Sequence, residues 1–539
     1  MININPARIR PQNRVPTQSD KQPSAQTKTY TAPIGGWVTN ANLADQDQQS
    51  AVVLENFWPT ETGIEPRGGT KHRVSVPSGV KSLFAYRAGR AEQFFAATDT
   101  GIYAFGPDTP LDTDLTAVVT GQKSGDYNIL EMQTDGGSFL TVVNGIDPLQ
   151  IFDGTSWQQV TDTSSPFAIT DVDTSLFSHA WAYRNRQFFI QKDSMNAWYL
   201  GVNSVAGAAT KLPLAGIFNK GGSLLFGATW SSDSGAGMDD RCVFATDQGE
   251  FAVFGGDPID GWSMTGVYDI GAPLGRRAIM SVGGDLIIAT KGGLIPISAA
   301  VQKDLGELKL VSLSRAIEPD WRREAALSGR SSGWRLVKWE SRNMAFAIPP
   351  KAGSDRQHCF VVNLGTGKWS KFRGWKIHDL NILGDTLYYG DGSGAIFQGD
   401  FGGTDNGNLI ECKACFAFDH LSSVGAFKQA HMVRGTFRHS TPFGPQFTVA
   451  SDFRPRFGAA PNAVNDPGYQ SSQWDVAAWD ISKWAADFSD YTIREHWDSV
   501  SAQGHALAVQ LQITSGAAYK LDCELISVDL TYSTGGTVV

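Results

Sequence analysis

Seven times between about residue 90 and residue 400 the chain repeats one local pattern: a short apolar, β-rich run, a turn of Gly, Asp or Asn, and a second such run. Gln93–Phe105 and Arg241–Phe254 are the clearest copies, and Asp285–Ile297 and Thr386–Phe397 follow the same grammar. Weaker copies span Phe139–Phe152, Gln187–Leu200 and Asn343–Leu364. Each reads as a β-hairpin whose glycine supplies the positive φ that the turn needs. Counted from turn to turn the copies recur at about 44 to 53 residues, close to the roughly 40–50 residues of a four-stranded propeller blade. The pattern predicts an all-β chain with a β-propeller of six to eight blades. A sandwich or barrel array competes, because short strands at regular intervals fit those folds too. The propeller is favoured because the copies keep one order: an inner apolar strand, a Gly or Asp turn, an aromatic-bearing strand.

At 539 residues the chain exceeds one small core and suggests two or three domains. Residues 1–33 are rich in Pro, Gln, Ser, Thr and Lys without apolar periodicity, and are expected to form an extended N-terminal arm that orders only against a neighbour. Residues 34–404 are expected to form the propeller platform, its ring closed by the strand that follows Asn56–Gly69 pairing with the last blade. A helical insertion is expected near 312–328, with Pro319 in its first turn. Its exposed side is read as carrying Arg315, Arg322 and Arg323. With Trp321 these are candidate inter-subunit contacts, the alternative being a solvated connector. After about residue 405 the repeat stops, and alternating segments at Met432–Phe437, Gln446–Asp452, Ala506–Ile513 and Glu524–Tyr532 predict a C-terminal β-sandwich-like domain over 405–539. Ala506–Ile513 reads as half-buried. Trp474, Trp479, Trp484 and Trp497 read as packing residues of that domain, or else as a binding face.

A net charge of −9 argues against a surface that wraps nucleic acid by neutralising phosphates. No run of 18 apolar residues exists, so no membrane span is expected. The start, Met1–Pro6, lacks the apolar core of a secretion signal, which points to synthesis in the cytoplasm. Five cysteines, at 242, 359, 412, 415 and 523, fit free buried thiols. Cys412 and Cys415 form the one close pair, and the spacing of His420, His431 and His439 after it matches no zinc module.

Asp153–Trp157 lacks the order of a sialidase Asp-box and does not recur from blade to blade. Asp171 with Asp173, and Asp239 with Asp240, lack the glycine and bidentate acid of a calcium loop and read as solvated turns. No nucleophile elbow, phosphate-binding Walker loop or His-Glu-x-x-His helix is present. The sequence therefore predicts no enzyme, no cofactor and no metal.

The Pro- and Gln-rich start, the block from Gly36-Trp37 through Asn56-Phe57-Trp58-Pro59 to Arg67-Gly68-Gly69-Thr70, the turn Phe152–Trp157 and Gly293–Ser298 together resemble tail proteins of short-tailed bacteriophages, the nozzle or tail tubular protein B class. The resemblance spans about 33–535 and has no catalytic signature. It implies a structural protein of the virion tail, in a six-fold homomeric ring below the portal and adaptor. Such a ring extends the genome channel, lets DNA pass without specific binding and supports fibres or spikes. An acidic lumen would keep phosphates from sticking. A receptor-binding tail propeller is the alternative reading, and a carbohydrate-active tail enzyme a further one.

Overall fold

The computed structural model describes residues 25–89, 91–231, 240–328, 333–350, 358–421, 423–464 and 492–537. Residues 1–24 of the expected arm, Asp239, and Trp474, Trp479 and Trp484 lie outside them.

Among the described residues, seven antiparallel meanders follow one another as blades of a propeller. Blade 1 comprises Ser82–Ala88, Ala91–Thr98, Gly101–Phe105 and Ala117–Thr120, and blade 2 Asn128–Thr134, Gly137–Val143, Gln150–Phe152 and Trp157–Gln159. Blade 3 comprises Phe177–Tyr183, Arg186–Gln191, Asn196–Tyr199 and Thr210–Pro213, and blade 4 Leu224–Trp230, Arg241–Thr246, Glu250–Gly255 and Ser263–Asp269. Blade 5 has three strands, Ile279–Val282, Asp285–Thr290 and Gly293–Pro296. Blade 6 comprises Arg335–Trp339, Met344–Ile348, His358–Asn363 and Trp369–Arg373. Blade 7 takes Asp379–Leu383, Thr386–Gly390 and Ala395–Gly399 from late in the chain and Thr70–Ser75 from early in it. That last pairing closes the ring by the strand the sequence nominated. The seven sequence repeats are the second and third strands of the seven blades, so the first strand of each repeat is not the innermost one.

Three helices follow the third strand of blade 5: α1 (Ile297–Gln302), α2 (Leu305–Val311) and α3 (Glu318–Leu327). The helical region thus begins earlier than expected. Asp304 caps α2 by accepting the Glu307 N–H at 3.2 Å, and α3 starts with Pro319 and two acids, Glu318 and Asp320, at its positive end.

Thr113–Asp114 adds to the edge of blade 7 and Ile169–Thr170 pairs with Gly207–Ala208; the other strands form a two-sheet sandwich. One sheet runs Phe57–Pro59, Ile64–Pro66, Cys523–Thr537, Ala426–His439, Thr492–Gly504, with Gln26–Thr31 also paired to Cys523–Thr537. The other continues blade 6: its eight strands pass from Arg335–Trp339 to Trp369–Arg373, then through Ala51–Glu55, Ile410–Phe416 and Leu507–Ser515 to Pro445–Ser451. One hydrophobic core, including Phe57, Trp321, Trp334, Phe360, Phe437 and Leu511, runs through sandwich, helix and blade 6.

Three expectations are corrected here. Residues 51–66 belong to the sandwich rather than to the platform, so the propeller is inserted between the two ends of the sandwich. The described part of the arm is held by its own chain: Gln26–Thr31 pairs along Ser527–Tyr532, and Lys28 meets Asp419 at 3.1 Å. Leu507–Ser515 is buried at all nine positions and not at alternate ones, with Phe453 and Phe457 packed against the cluster that holds Ala508.

Candidate functional site

Three places gather charged or reactive side chains: the propeller axis, the seam with the sandwich, and the helical region of blade 5.

At the axis, polar side chains stand at or just before the first strands of the blades. Arg276 and Arg277 precede blade 5, Arg335 opens blade 6, Asp379 opens blade 7 and Asp126 precedes blade 2. Arg277 Nη2 donates to both Asp379 oxygens at 3.1 and 2.9 Å, and its Nη1 donates to Ser82 Oγ at 3.1 Å. Asp379 also accepts the Leu83 N–H at 2.7 Å, and Arg335 pairs with Asp379 and, at 3.2 Å, with Asp126. Arg276 reaches Asp126 at 2.7 Å and the Ser178 carbonyl of blade 3 at 3.1 Å. Blades 5 and 2 are not adjacent, so these contacts cross the axis. Asp379 is fully buried. Burial alone would raise the Asp126 carboxyl, but Arg276, Arg277 and Arg335 outweigh it and hold it below the usual carboxylate range. Nearby, His179 Nε2 lies 2.9 Å from the Gly227 carbonyl while its buried Nδ1 has no partner. Burial pushes this imidazole down to about 3.

At the seam, Arg67 grips Asp405 through two bonds of 2.9 and 2.6 Å, donates to Asn56 Oδ1 at 2.9 Å and to the Arg373 carbonyl at 2.6 Å, and lies 4.9 Å from the Trp375 ring centroid. A hollow of about 300 Å³ beside it is lined by Tyr389, Asp391 and Asp405 among others. Both acids are occupied: Asp391 accepts the N–H groups of Ser393 and Ala395, each at 2.9 Å.

In the helical region the candidate contacts separate. Trp321 is fully buried, its ring 4.7 Å from Trp334 and its Nε1 donating to the Thr290 carbonyl at 2.9 Å. It is a core residue and not a surface contact, since Trp321 and Ala325 of α3, with Ile317 just before it, face inward at a spacing of four. Arg315, Arg322 and Arg323 are exposed. Arg322 pairs with Glu318 at 2.6 Å and Arg323 with Asp320 at 2.8 Å. Arg315 donates to the Leu310 carbonyl at 3.3 Å. Arg322 also lines an open hollow of about 550 Å³ with Lys291, Gly292, Lys309, Ala325 and Ala326, two of which, Lys291 and Lys309, the sequence reading passed over. Leu305, Leu310, Leu313 and Leu327 of the same region are exposed. Lysines on separate elements leave no local pattern, but leucines at exposed helical positions are a usable signal.

The other motifs have local roles. Asp153 accepts the N–H groups of Thr155 and Ser156, which holds its carboxyl below the usual range, and Asp173 caps a short 3₁₀ turn by accepting the Ser175 N–H at 2.9 Å. Asp240 accepts from Ser231. The five cysteines are buried free thiols, Cys359, Cys412 and Cys415 pushed up to about 12 by burial. Trp497 is half-buried under the Arg434 guanidinium at 5.1 Å. Among the described residues no group of three or more His, Cys, Asp or Glu is placed to hold a metal, and no helix is long and apolar enough to cross a membrane.

No family model and no curated protein matches the sequence. Solved structures similar to the chain are propellers: the RRP9 WD40 repeats (13% identity, 60% of this chain and 94% of that one, TM-score 0.35), YCF48 from Cyanidioschyzon merolae (9%, 64% and 97%, 0.33) and the Cps50 (Swd1) β-propeller domain of Myceliophteria thermophila (8%, 61% and 98%, 0.39). The blade count rests on the strand pairing given above.

Proposed function

We propose that this chain is a structural, non-enzymatic tail protein of a short-tailed bacteriophage, a nozzle-like subunit that forms a ring with other copies of itself. One observation supports the reading above the rest: the longest block that carries the resemblance, Gly36 to Thr70, runs along the seam between sandwich and propeller, while Phe152–Trp157 and Gly293–Ser298 lie in blades 2 and 5. Gly36 has φ +73, and a Cβ there would lie 2.9 Å from the Trp369 backbone. Trp37 stacks on Phe360 with centroids 6.0 Å apart, and the Lys371 ammonium lies 4.2 Å from its ring centroid. Asn56 and Arg67 share the Asp405 network, a Cβ on Gly69 would lie 2.1 Å from the Thr404 carbonyl oxygen, and Thr70 opens the strand that closes the ring. That block therefore joins sandwich to propeller within one subunit, which an assembly part needs and an isolated binding module does not.

The cross-axis network bears on where a channel lies. Arginine and aspartate side chains span the propeller axis, so a genome conduit runs between copies and not through one propeller. The receptor-binding alternative calls for a face of exposed aromatics; among the described residues only Phe401 and Phe427 are large aromatics with substantial exposure. The enzyme alternative calls for free paired carboxylates in a cleft, whereas Asp391 and Asp405 are both engaged.

Native mass spectrometry of the full-length protein across a concentration series tests the reading. A closed oligomer, six copies by the resemblance, is expected. Trimers alone would favour the receptor-binding propeller, and a monomer at every concentration would overturn self-assembly.

A further inference from the structure

Two exposed surfaces on opposite faces of the propeller complement each other. In a blade, the turns after the first and third strands emerge on one face and the turn after the second strand on the other. The hollow lined by Lys291, Gly292, Lys309, Arg322, Ala325 and Ala326 sits at the turn after the second strand of blade 5. Gly256–Trp262, the turn after the third strand of blade 4, therefore lies on the other face.

This turn is a folded knob. Asp257 Oδ1 accepts the Ile259 N–H at 2.9 Å, and the Asp257 N–H donates to the Asp260 carbonyl at 3.3 Å. At its tip Ile259 is 71% exposed, the most of any large apolar side chain among the described residues. Asp257 is engaged by Arg186 at 3.4 Å, whereas the Asp260 carboxylate has no ion pair among the described residues. Neither have Lys291 and Lys309 across the disc.

We propose that the knob of one copy seats in the hollow of the next, Ile259 against the exposed Ala326 and the Asp260 carboxylate between Lys291 and Lys309. The occupant is a second copy on grounds of charge. A chain of net charge −9 repels itself generally, and this hollow, where Lys291, Lys309 and Arg322 surround Ala326, is where an acidic tip of the same chain gains local attraction. Because the two surfaces differ, the contact is heterologous and can repeat around a ring. The inference rests on the ring reading and specifies its interface.

The test is sedimentation velocity of the full-length protein over a wide concentration range, with Lys291→Glu/Lys309→Glu, Asp260→Lys, Ile259→Ser and the combined charge reversal, alongside carbodiimide cross-linking read by mass spectrometry. Each surface change is expected to weaken self-association by at least ~10-fold. The combined reversal should recover most of that, and wild-type cross-links should join Asp260 to Lys291 or Lys309 of another copy. Oligomers of unchanged affinity in all variants would overturn this interface and leave the ring reading standing. A chain that stays monomeric with and without cross-linker would overturn both.

Discussion

Arg277 and Asp379 bind each other across the axis of the propeller, blade 5 to blade 7, with Asp379 excluded from solvent. Two arginines and the Leu83 N–H converge on that one carboxylate. Removing one partner of a buried ionic group strands the others, which costs more than the pair contributes. Asp379→Ala is expected to destabilise the protein by about 3–5 kcal/mol, measured by chemical denaturation. Arg323→Ala, at a solvated ion pair, should cost less than about 1 kcal/mol.

Trp321 gives a second prediction. It packs against Trp334, Phe360 and Trp369, where α3, blade 6 and the sandwich meet. Trp321→Ala should cost about 3–5 kcal/mol and increase protease cleavage near α3. Equal stability of Trp321→Ala and wild type would mean that the helix is not docked there.

The His179 imidazole is held neutral, and its depressed pKa fixes the sign of a pH effect. Between the unfolded value near 6.5 and the folded value of about 3, the unfolded chain binds the extra proton. The stability from this group is therefore fully present above about pH 6.5 and is lost progressively below it, by at most about 1.4 kcal/mol per pH unit. Thermal midpoints of wild type and His179→Gln, compared from pH 7.5 to 4.5, should show the variant losing less on acidification. Parallel curves would contradict the assignment.

Arg67 predicts that the seam needs a guanidinium. Its two bonds to Asp405, with Asn56 and the Arg373 carbonyl, use a planar fork that lysine lacks. Arg67→Lys should destabilise by about 2–4 kcal/mol, and limited proteolysis should then separate propeller from sandwich.

The legible parts of this fold are those whose burial is uniform. Arg241–Thr246 and Asp285–Thr290 are buried at five of six positions because neighbouring blades cover both faces, so they read as apolar runs. The outer strands Ala117–Thr120 and Thr210–Pro213 are half or mostly exposed, and the inner strands of blades 6 and 7 begin with the axial Arg335 and Asp379, so neither kind announces itself. Phe57–Pro59 and Ile64–Pro66 are three residues long, and Ile64 pairs with Leu525; nothing local encodes so distant a partner. Gln510, Gln512 and Thr514 alternate with apolar residues, which suggests a half-buried strand, yet all three are buried. Trp321 was legible in principle, through its spacing of four with Ile317 and Ala325. The axial network was not, because bonded members such as Leu83 and Asp379 lie 296 residues apart in the chain and meet only once the ring has closed.

Self-assembly around a conduit is the central claim, and electron cryomicroscopy of full-length assemblies, reconstructed without imposed symmetry, tests it most directly. The account predicts a closed ring of copies in head-to-tail contact, a continuous lumen between chains, and density across each propeller axis where Arg277 meets Asp379. Separate monomers, a two-fold dimer, or a passage open through the propeller itself would contradict it.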